Sequence, residues 1–303
     1  MLTAGAKVLC DAAIRLSSLF KINSALAGIF LVSIGTAAPD CMSVLIGIIE
    51  GQPDISIGNI LGSNFTNLTL GLGIAGIIAP FKCDNTMSKI ELPLLSLLTL
   101  FFVMCCWDGK LTRIEGCAFI ASLLIYIFYS ICNDRQHNQH HQSSDHSTHC
   151  PCNQSWSIKK STILFIISAA ALALGAHLVV TSCCRIADWL GVSKTFIGFS
   201  LLAFGTSAPE IFVVTTAALR KQHTICSGNI IGSNLINLMC VAGLCSIIHP
   251  FNFDKALFST EALSLLFITF LCYYIFKKRP TFSRLSGIIF VATYCITMFL
   301  VKK

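Results

Sequence analysis

Two acidic side chains stand out by their position. Asp40 and Glu210 lie near the middle of otherwise uncharged apolar runs, whereas almost every other acid falls in a loop or at the end of a run, Asp11 in the opening run aside. Each belongs to one polar cassette written twice, Gly35-Thr36-Ala37-Ala38-Pro39-Asp40 and, 170 residues later, Gly205-Thr206-Ser207-Ala208-Pro209-Glu210. A carboxylate at membrane depth costs about 3 kcal/mol or more and marks a functional position by default. Thr36 and Asp40 are four apart and share a helical face, as do Thr206 and Glu210. Pro39 and Pro209 cannot donate the helical hydrogen bond, so they kink their helices and free the carbonyls of Gly35 and Gly205. Freed backbone oxygens at that depth are tolerated where they line a cavity.

A second element repeats at the same offset: Gly58-Asn59-Ile60-Leu61-Gly62-Ser63-Asn64 matches Gly228-Asn229-Ile230-Ile231-Gly232-Ser233-Asn234. Ser63 and Asn67, and Ser233 and Asn237, add a hydroxyl and an amide oxygen from each copy. Every donor in this set is oxygen, which selects hard cations such as Na⁺, Ca²⁺ or Mg²⁺ over zinc or copper. Ca²⁺ takes about six to eight oxygens in flexible geometry. Two carboxylates neutralise one Ca²⁺ or two Na⁺, so the ions would compete for one alternately exposed cage, the minimal mechanism of exchange. The glycines of these runs (Gly58, Gly62, Gly71, Gly73, Gly228, Gly232 and Gly243) read as close helix packing, which leaves the adjoining Ser and Asn unexplained.

These residues need membrane helices to hold them, and the composition supplies them. Of 303 residues, 54% are hydrophobic and 12% charged, with mean hydropathy +0.76; an ordinary soluble domain is about 25% charged. A disordered chain, a typical water-soluble enzyme and a dedicated nucleic-acid binder are excluded. The 16 cysteines fall below the density of a disulfide scaffold, and most sit in apolar runs, where Cys acts as a small hydrophobe. A bilayer core needs about 20 apolar residues per helix. Such runs cover roughly 2–20, 25–49, 55–79, 90–107, 114–132, 161–184, 195–219, 225–248, 257–276 and 283–301. They do not alternate as the strands of a membrane barrel do, and no signal-peptide pattern precedes the first. No nucleophile–base pair or cofactor loop stands out beside the cage, so neither an enzyme nor a cofactor is expected.

Positive charge gives an orientation. Loops after odd-numbered runs carry Lys21, Lys82, Lys89, Arg135, Lys159, Lys160, Arg220, Lys221, Lys277, Lys278, Arg279 and Arg284; the other side has Lys110, Arg113, Lys194, Lys255, Lys302 and Lys303. The positive-inside rule places the richer set, and the central loop, in the cytoplasm and both termini outside a cell (inner) membrane.

The 170-residue offset also relates Gly5 to Gly175, Arg15 to Arg185, Gly28 to Gly198, Asn67 to Asn237, Pro80-Phe81 to Pro250-Phe251, Asp84 to Asp254 and Glu91 to Glu261. Two halves of five spans follow, residues 1–132 and 161–303. Because five is odd, the second half enters the membrane from the other side; inverted repeats place a transport site at their interface near the midplane. Met1 aligns with Ala171, so the first span is about ten residues shorter than its twin, which begins near Ser161. Residues 133–160 join the halves. His137, His140, His141, His146 and His149 with Cys150 and Cys152 have zinc-binding chemistry, but their spacing fits no established zinc module, and the segment reads as a flexible cytosolic linker.

At the duplicated elements the chain resembles the calcium/cation antiporter superfamily and, within it, the bacterial-type sodium/calcium exchangers, which carry GTS-x-PE and GN-x-x-GSN-x-x-(N/D) in each repeat. The resemblance implies an all-α membrane fold of about ten helices in two inverted five-helix repeats. Four central helices bind ions, and long first and sixth helices gate access. It also implies Na⁺/Ca²⁺ antiport, with Thr36, Asp40, Ser63, Asn67, Thr206, Ser207, Glu210, Ser233 and Asn237 as ligands, helped by backbone oxygens near Ser33 and Ala203. The sequence departs from the pattern at Ala37, which lacks a hydroxyl, at Asp40, which is shorter than the usual Glu, and at Asn237, where many members have Asp. Proton- or potassium-coupled exchange on the same scaffold, a cation channel and a non-transporting membrane binder are the competing readings.

Overall fold

The computed structural model describes residues 32–51, 53–82, 87–140, 157–171, 174, 200, 202–278 and 281–301, together with positions 5, 8, 9, 11, 12, 15, 16 and 19, which are helical. The first half comprises α1 (Ser33–Thr36), α2 (Ala38–Ile49), α3 (Pro53–Thr66), α4 (Leu72–Ile78), α5 (Leu92–Cys106) and α6 (Arg113–His140). After a helix over 158–171 (α7), the second half comprises α8 (Ala203–Thr206), α9 (Ala208–Leu219), α10 (His223–Ile236), α11 (Ala242–Ile248), α12 (Lys255–Lys278) and α13 (Arg284–Val301). Short π-helical turns join α3 to α4 (Asn67–Gly71) and α10 to α11 (Asn237–Val241), so each pair forms one continuous rod; a third π turn, Met87–Glu91, leads into α5.

Among the described residues, five helices are long and apolar enough to cross a bilayer: 53–78, 87–106, 113–132, 225–248 and 258–278; 39–49, 208–219 and 284–300 form shorter apolar helices. Burial sorts them into two shells. The rods 53–78 and 225–248 are 89% and 83% buried within the protein, against 22% for 113–132 and 39% for 258–278. The outer helices present Ile114, Ile125 and Phe128, and Phe267 and Leu263, outward, as a helix surrounded by lipid does. The expected runs 2–20, 25–49, 161–184 and 195–219 extend into positions outside the described residues, as does the middle of the linker, 141–156, with His141, His146, His149, Cys150 and Cys152. Two boundaries differ from expectation. α6 continues through His140, so the helix carries the first eight residues of the segment 133–160 past the apolar run, and α7 begins at 158 rather than 161.

The two-fold relation is visible in the packing. α4 lies against α13 as α11 lies against α6, and both contacts are made through facing glycines. A Cβ built on Gly287 would sit 2.6 Å from the carbonyl oxygen of Gly73; on the other side, one built on Gly116 would sit 2.8 Å from that of Gly243. Two short antiparallel ladders tie the halves at their ends. β1 (Phe81–Lys82) pairs with β4 (Thr281–Phe282), and β2 (Lys110–Leu111) pairs with β3 (Phe251–Asn252). The first joins the connection after α4 to that between α12 and α13; the second joins the connection after α5 to that after α11. Loops of like parity in the inverted arrangement therefore meet on one face, and loops of the opposite parity on the other. Phe81, Phe276, Phe282 and Phe290 seal the β1/β4 end, with Phe282 edge-on to Phe290 at 5.2 Å.

The glycine contacts leave no room for a methyl group, because the opposing atoms are backbone. Gly287→Ala is expected to destabilise the protein by about 1–3 kcal/mol through overpacking, read as a lower unfolding temperature in detergent.

Candidate functional site

The site is built at the two helix breaks. Proline is the second residue of α2 and of α9, and in each case the preceding helix has stopped at Thr36 or Thr206. The expected kink is thus a full interruption, at Ala37 and Ser207. The last turns are closed by Ala37 N–H on the Ser33 carbonyl (2.8 Å) and Ser207 N–H on the Ala203 carbonyl (3.0 Å). The Thr36 hydroxyl donates to the Ser33 carbonyl at 3.4 Å, and Thr206 Oγ1 lies 3.3 Å from the Ala203 carbonyl. The carbonyls near Ser33 and Ala203 therefore already accept protein hydrogen bonds.

Asp40 and Glu210 follow the breaks, and both are buried, at 1% and 0% exposure. Asp40 is held from both halves. Ser63 Oγ of α3 donates to its Oδ1 at 3.0 Å, and Asn237 Nδ2, at the start of the π turn after α10, donates to its Oδ2 at 2.7 Å. Thr206 Oγ1 of α8 donates to Asn59 Oδ1 at 3.1 Å and lies 3.4 Å from Ser63 Oγ. Asn59 Nδ2 donates in turn to Ser43 Oγ at 2.8 Å. Glu210 lies beside Thr36 and within electrostatic reach of Asp40, so the two acids share one buried region.

Asn67 takes a different partner, donating its Nδ2 to Asn234 Oδ1 at 3.2 Å. Ser33 Oγ donates to the Asn229 carbonyl at 3.0 Å. Ser207 and Ser233 are fully buried, but neither hydroxyl hydrogen-bonds to an acid. The structure therefore joins Asp40, Ser63, Thr206 and Asn237 by direct bonds and sets Thr36 with Glu210. Asn67, Ser207 and Ser233 are buried on the same elements without bonds to either carboxylate.

Among the described residues, both oxygens of Glu210, Asn67 Oδ1, Asn237 Oδ1, Asn229 Oδ1, Ser207 Oγ and Ser233 Oγ are buried without a hydrogen-bond partner, as are Asn229 Nδ2 and Asn234 Nδ2. Leaving one buried polar atom unmatched costs about 1–3 kcal/mol, and native interiors rarely tolerate several together. Most of these atoms are oxygens, two of them on a carboxylate, and a hard cation is a guest that such oxygens can hold.

Asn59 joins the site through Thr206, and its counterpart Asn229 is buried with it on the inner rods, although the cage derived from the sequence omits both. Their signal was present: each lies four residues before its serine, on the same helical face as Ser63 or Ser233. The π turns that begin at Asn67 and Asn237 had no such signal. π turns concentrate at functional sites, but no residue type announces them.

Comparison with known proteins now decides the family. Residues 1–132 and 160–303 match the model of the sodium/calcium exchanger proteins. The chain belongs to the sodium/calcium exchanger family. It is 30% identical over 242 residues to the putative antiporter CaxA of Alkalimonas amylolytica, covering 78% of this chain and 74% of that one. With the sodium/calcium exchanger MaX1 of Methanosarcina acetivorans it shares 25% identity over 307 residues, 89% and 88% of the two chains. Its fold is similar to structures of the sodium–calcium exchanger NCX_Mj; one determined after soaking with Na⁺ and Sr²⁺ aligns with TM-score 0.81 at 28% identity, covering 98% and 94%. The match confirms the all-α, inverted-repeat membrane fold for this exchanger-family chain, and the family is one of transporters.

In this member, Asn59 joins α3 of the first half to α8 of the second through Thr206. Asn59→Leu strands the Thr206 hydroxyl that it accepts, and the expected loss in apparent ion affinity is about 5- to 150-fold, from about 1–3 kcal/mol. Radioisotope uptake titrated with Ca²⁺ checks it.

Proposed function

We propose that this protein exchanges Ca²⁺ for Na⁺ across the membrane by alternating access, at a site shared by its two halves. The observation that carries the reading is the set of bare buried oxygens among the described residues, both of Glu210's included, together with an Asp40 already held by Ser63 and Asn237. Thr36, Asp40, Ser63, Asn67, Thr206, Ser207, Glu210, Ser233 and Asn237 supply the ligands, and Asn59 positions Ser63 and Thr206. Asp40 and Glu210 are the two carboxylates of this ligand set, so the cage holds two negative charges, enough for one Ca²⁺ or two Na⁺. Ions that neutralise the same pair cannot occupy it together, and that exclusion couples their movements. The names of the relatives, an antiporter and sodium/calcium exchangers, support the same reading. The cargo ions are substrates; the mechanism uses no cofactor and no enzymatic step.

Positive charge assigns the face of β1 and β4, with Lys82, Lys277 and Lys278, to the cytoplasm. Residues 1–132 and 161–303 act as the two exchanger repeats, and 133–160 connects them on the cytoplasmic side. The relevant partners are the transported ions and the lipid bilayer.

In proteoliposomes, Ca²⁺ uptake is expected to follow an outward Na⁺ gradient. Calcium movement that answers only a proton or potassium gradient replaces sodium with that ion, and single-channel currents replace exchange with conduction. Glu210→Gln and Asp40→Asn each remove one of the two charges; both variants are expected to reach the membrane and lose at least about 90% of Ca²⁺ exchange, a tenfold fall matching about 1.4 kcal/mol. Wild-type flux in both removes the carboxylates from the mechanism.

A further inference from the structure

Inverted repeats have a consequence for energetics. If each half can take up the conformation of the other, the two access states are related by symmetry. A perfectly symmetric chain would populate them equally, so any preference must come from residues that break the repeat. One such pair is an ion pair between the halves. Arg220 Nη1 donates to Asp11 Oδ1 at 2.5 Å, with side chains 27% and 20% exposed. Asp11 lies on the opening helix of the first half, and Arg220 caps the end of α9 in the second.

Arg220 is presented by a built turn. Lys221 N–H donates to the Ala218 carbonyl (3.0 Å) and Gln222 N–H to the Ala217 carbonyl (2.9 Å), closing the helix end, and Lys221 takes a left-handed φ of 58°. At the 170-residue counterpart that left-handed position is Gly51, with φ 72°. A non-glycine residue pays strain there, so the turn is kept even at a cost. The counterparts of Asp11 and Arg220 are Thr181 and Glu50, a neutral hydroxyl and an acid, which cannot form the same bond.

We infer that Asp11 and Arg220 are positioning residues for transport: their ion pair stabilises the access state in which it is closed, and Thr181 and Glu50 at the counterpart positions cannot form an ion pair with each other. The inference rests on the alternating-access reading. A partly exposed pair of this kind biases the equilibrium by about two- to fivefold. Because apparent affinity scales with the fraction of competent protein, breaking the pair raises the half-saturating Ca²⁺ concentration on one face and lowers it on the other.

The test measures Ca²⁺ exchange from each face of oriented proteoliposomes. Asp11→Asn and Arg220→Gln are expected to shift the two half-saturation values in opposite directions by that factor, and the charge swap Asp11→Arg with Arg220→Asp to restore them. A merely structural role lowers flux from both faces alike. If the single variants do not fold, grafting a pair onto the counterpart positions, Glu50→Arg with Thr181→Asp, is expected to shift both values the opposite way. Equal shifts on both faces, no shift, or a swap that fails to restore overturns the inference. Absence of Ca²⁺ exchange in the unaltered protein instead overturns the proposed function.

Discussion

The constraint on which the rest of this structure depends is the cost of holding two carboxylates inside a membrane protein. Neither Asp40 nor Glu210 is neutralised by a lysine or arginine within the described residues; the ion pairs found there are Lys110–Asp108 and Arg220–Asp11, away from the cage. What surrounds the acids is a shell of hydroxyls and amides. Such groups lower the cost of a charge by hydrogen bonding without cancelling it. An arginine would satisfy the acids permanently and leave nothing for an ion to do. A neutral polar shell keeps the negative charge available, and the two buried rods, 53–78 and 225–248, exist to carry that shell.

Those rods need partners that permit close approach, since lipid offers no hydrophobic drive for helices to associate. The facing glycines at α4–α13 and α11–α6 meet that need twice, once in each orientation. The same two-fold logic places β1 with β4 and β2 with β3. Each of these links joins one half to the other, so the halves are interlocked at both membrane faces as well as at the cage. A deletion within one half removes the packing surface of the other.

Much of this was legible in the residues, for a definable reason. The helical period and the duplicated cassettes are local patterns, and both survive in a single sequence. The four-residue spacing that revealed Thr36 with Asp40 also holds for Asn59 with Ser63, and applying it to every polar member of the second element would have found Asn59 and Asn229. Three features lay beyond it. The π turns at Asn67 and Asn237 are a change of backbone hydrogen bonding within ordinary apolar sequence. The pairing of β1 with β4 joins segments about 200 residues apart, two residues each, too short to carry a pattern. The extension of α6 to His140 runs against composition: polar residues such as Asn133, Asp134 and Gln136 continue a helix already nucleated by the apolar run, since propagation adds a hydrogen bond per residue at little cost.

The cassettes also differ in a way that gives the two acids separate surroundings. Asp40, with the shorter side chain, is fixed by donors from α3 and from the π turn after α10; Glu210, one methylene longer, has no hydrogen-bond donor on either oxygen among the described residues. Under the proposed exchange, a pre-positioned acid would define where the ion sits at little reorganisation cost, while an acid without protein donors would gain the most from the ion's charge. Asn237 serves both ends of this arrangement: its amide nitrogen holds Asp40, and its oxygen is among the bare ones. An aspartate at that position could not donate to Asp40 unless protonated, and it would add a third negative charge to the cage. In the proposed cage, asparagine would therefore link the placement of Asp40 to a total charge of two, and that charge would set how many ions of each kind balance it.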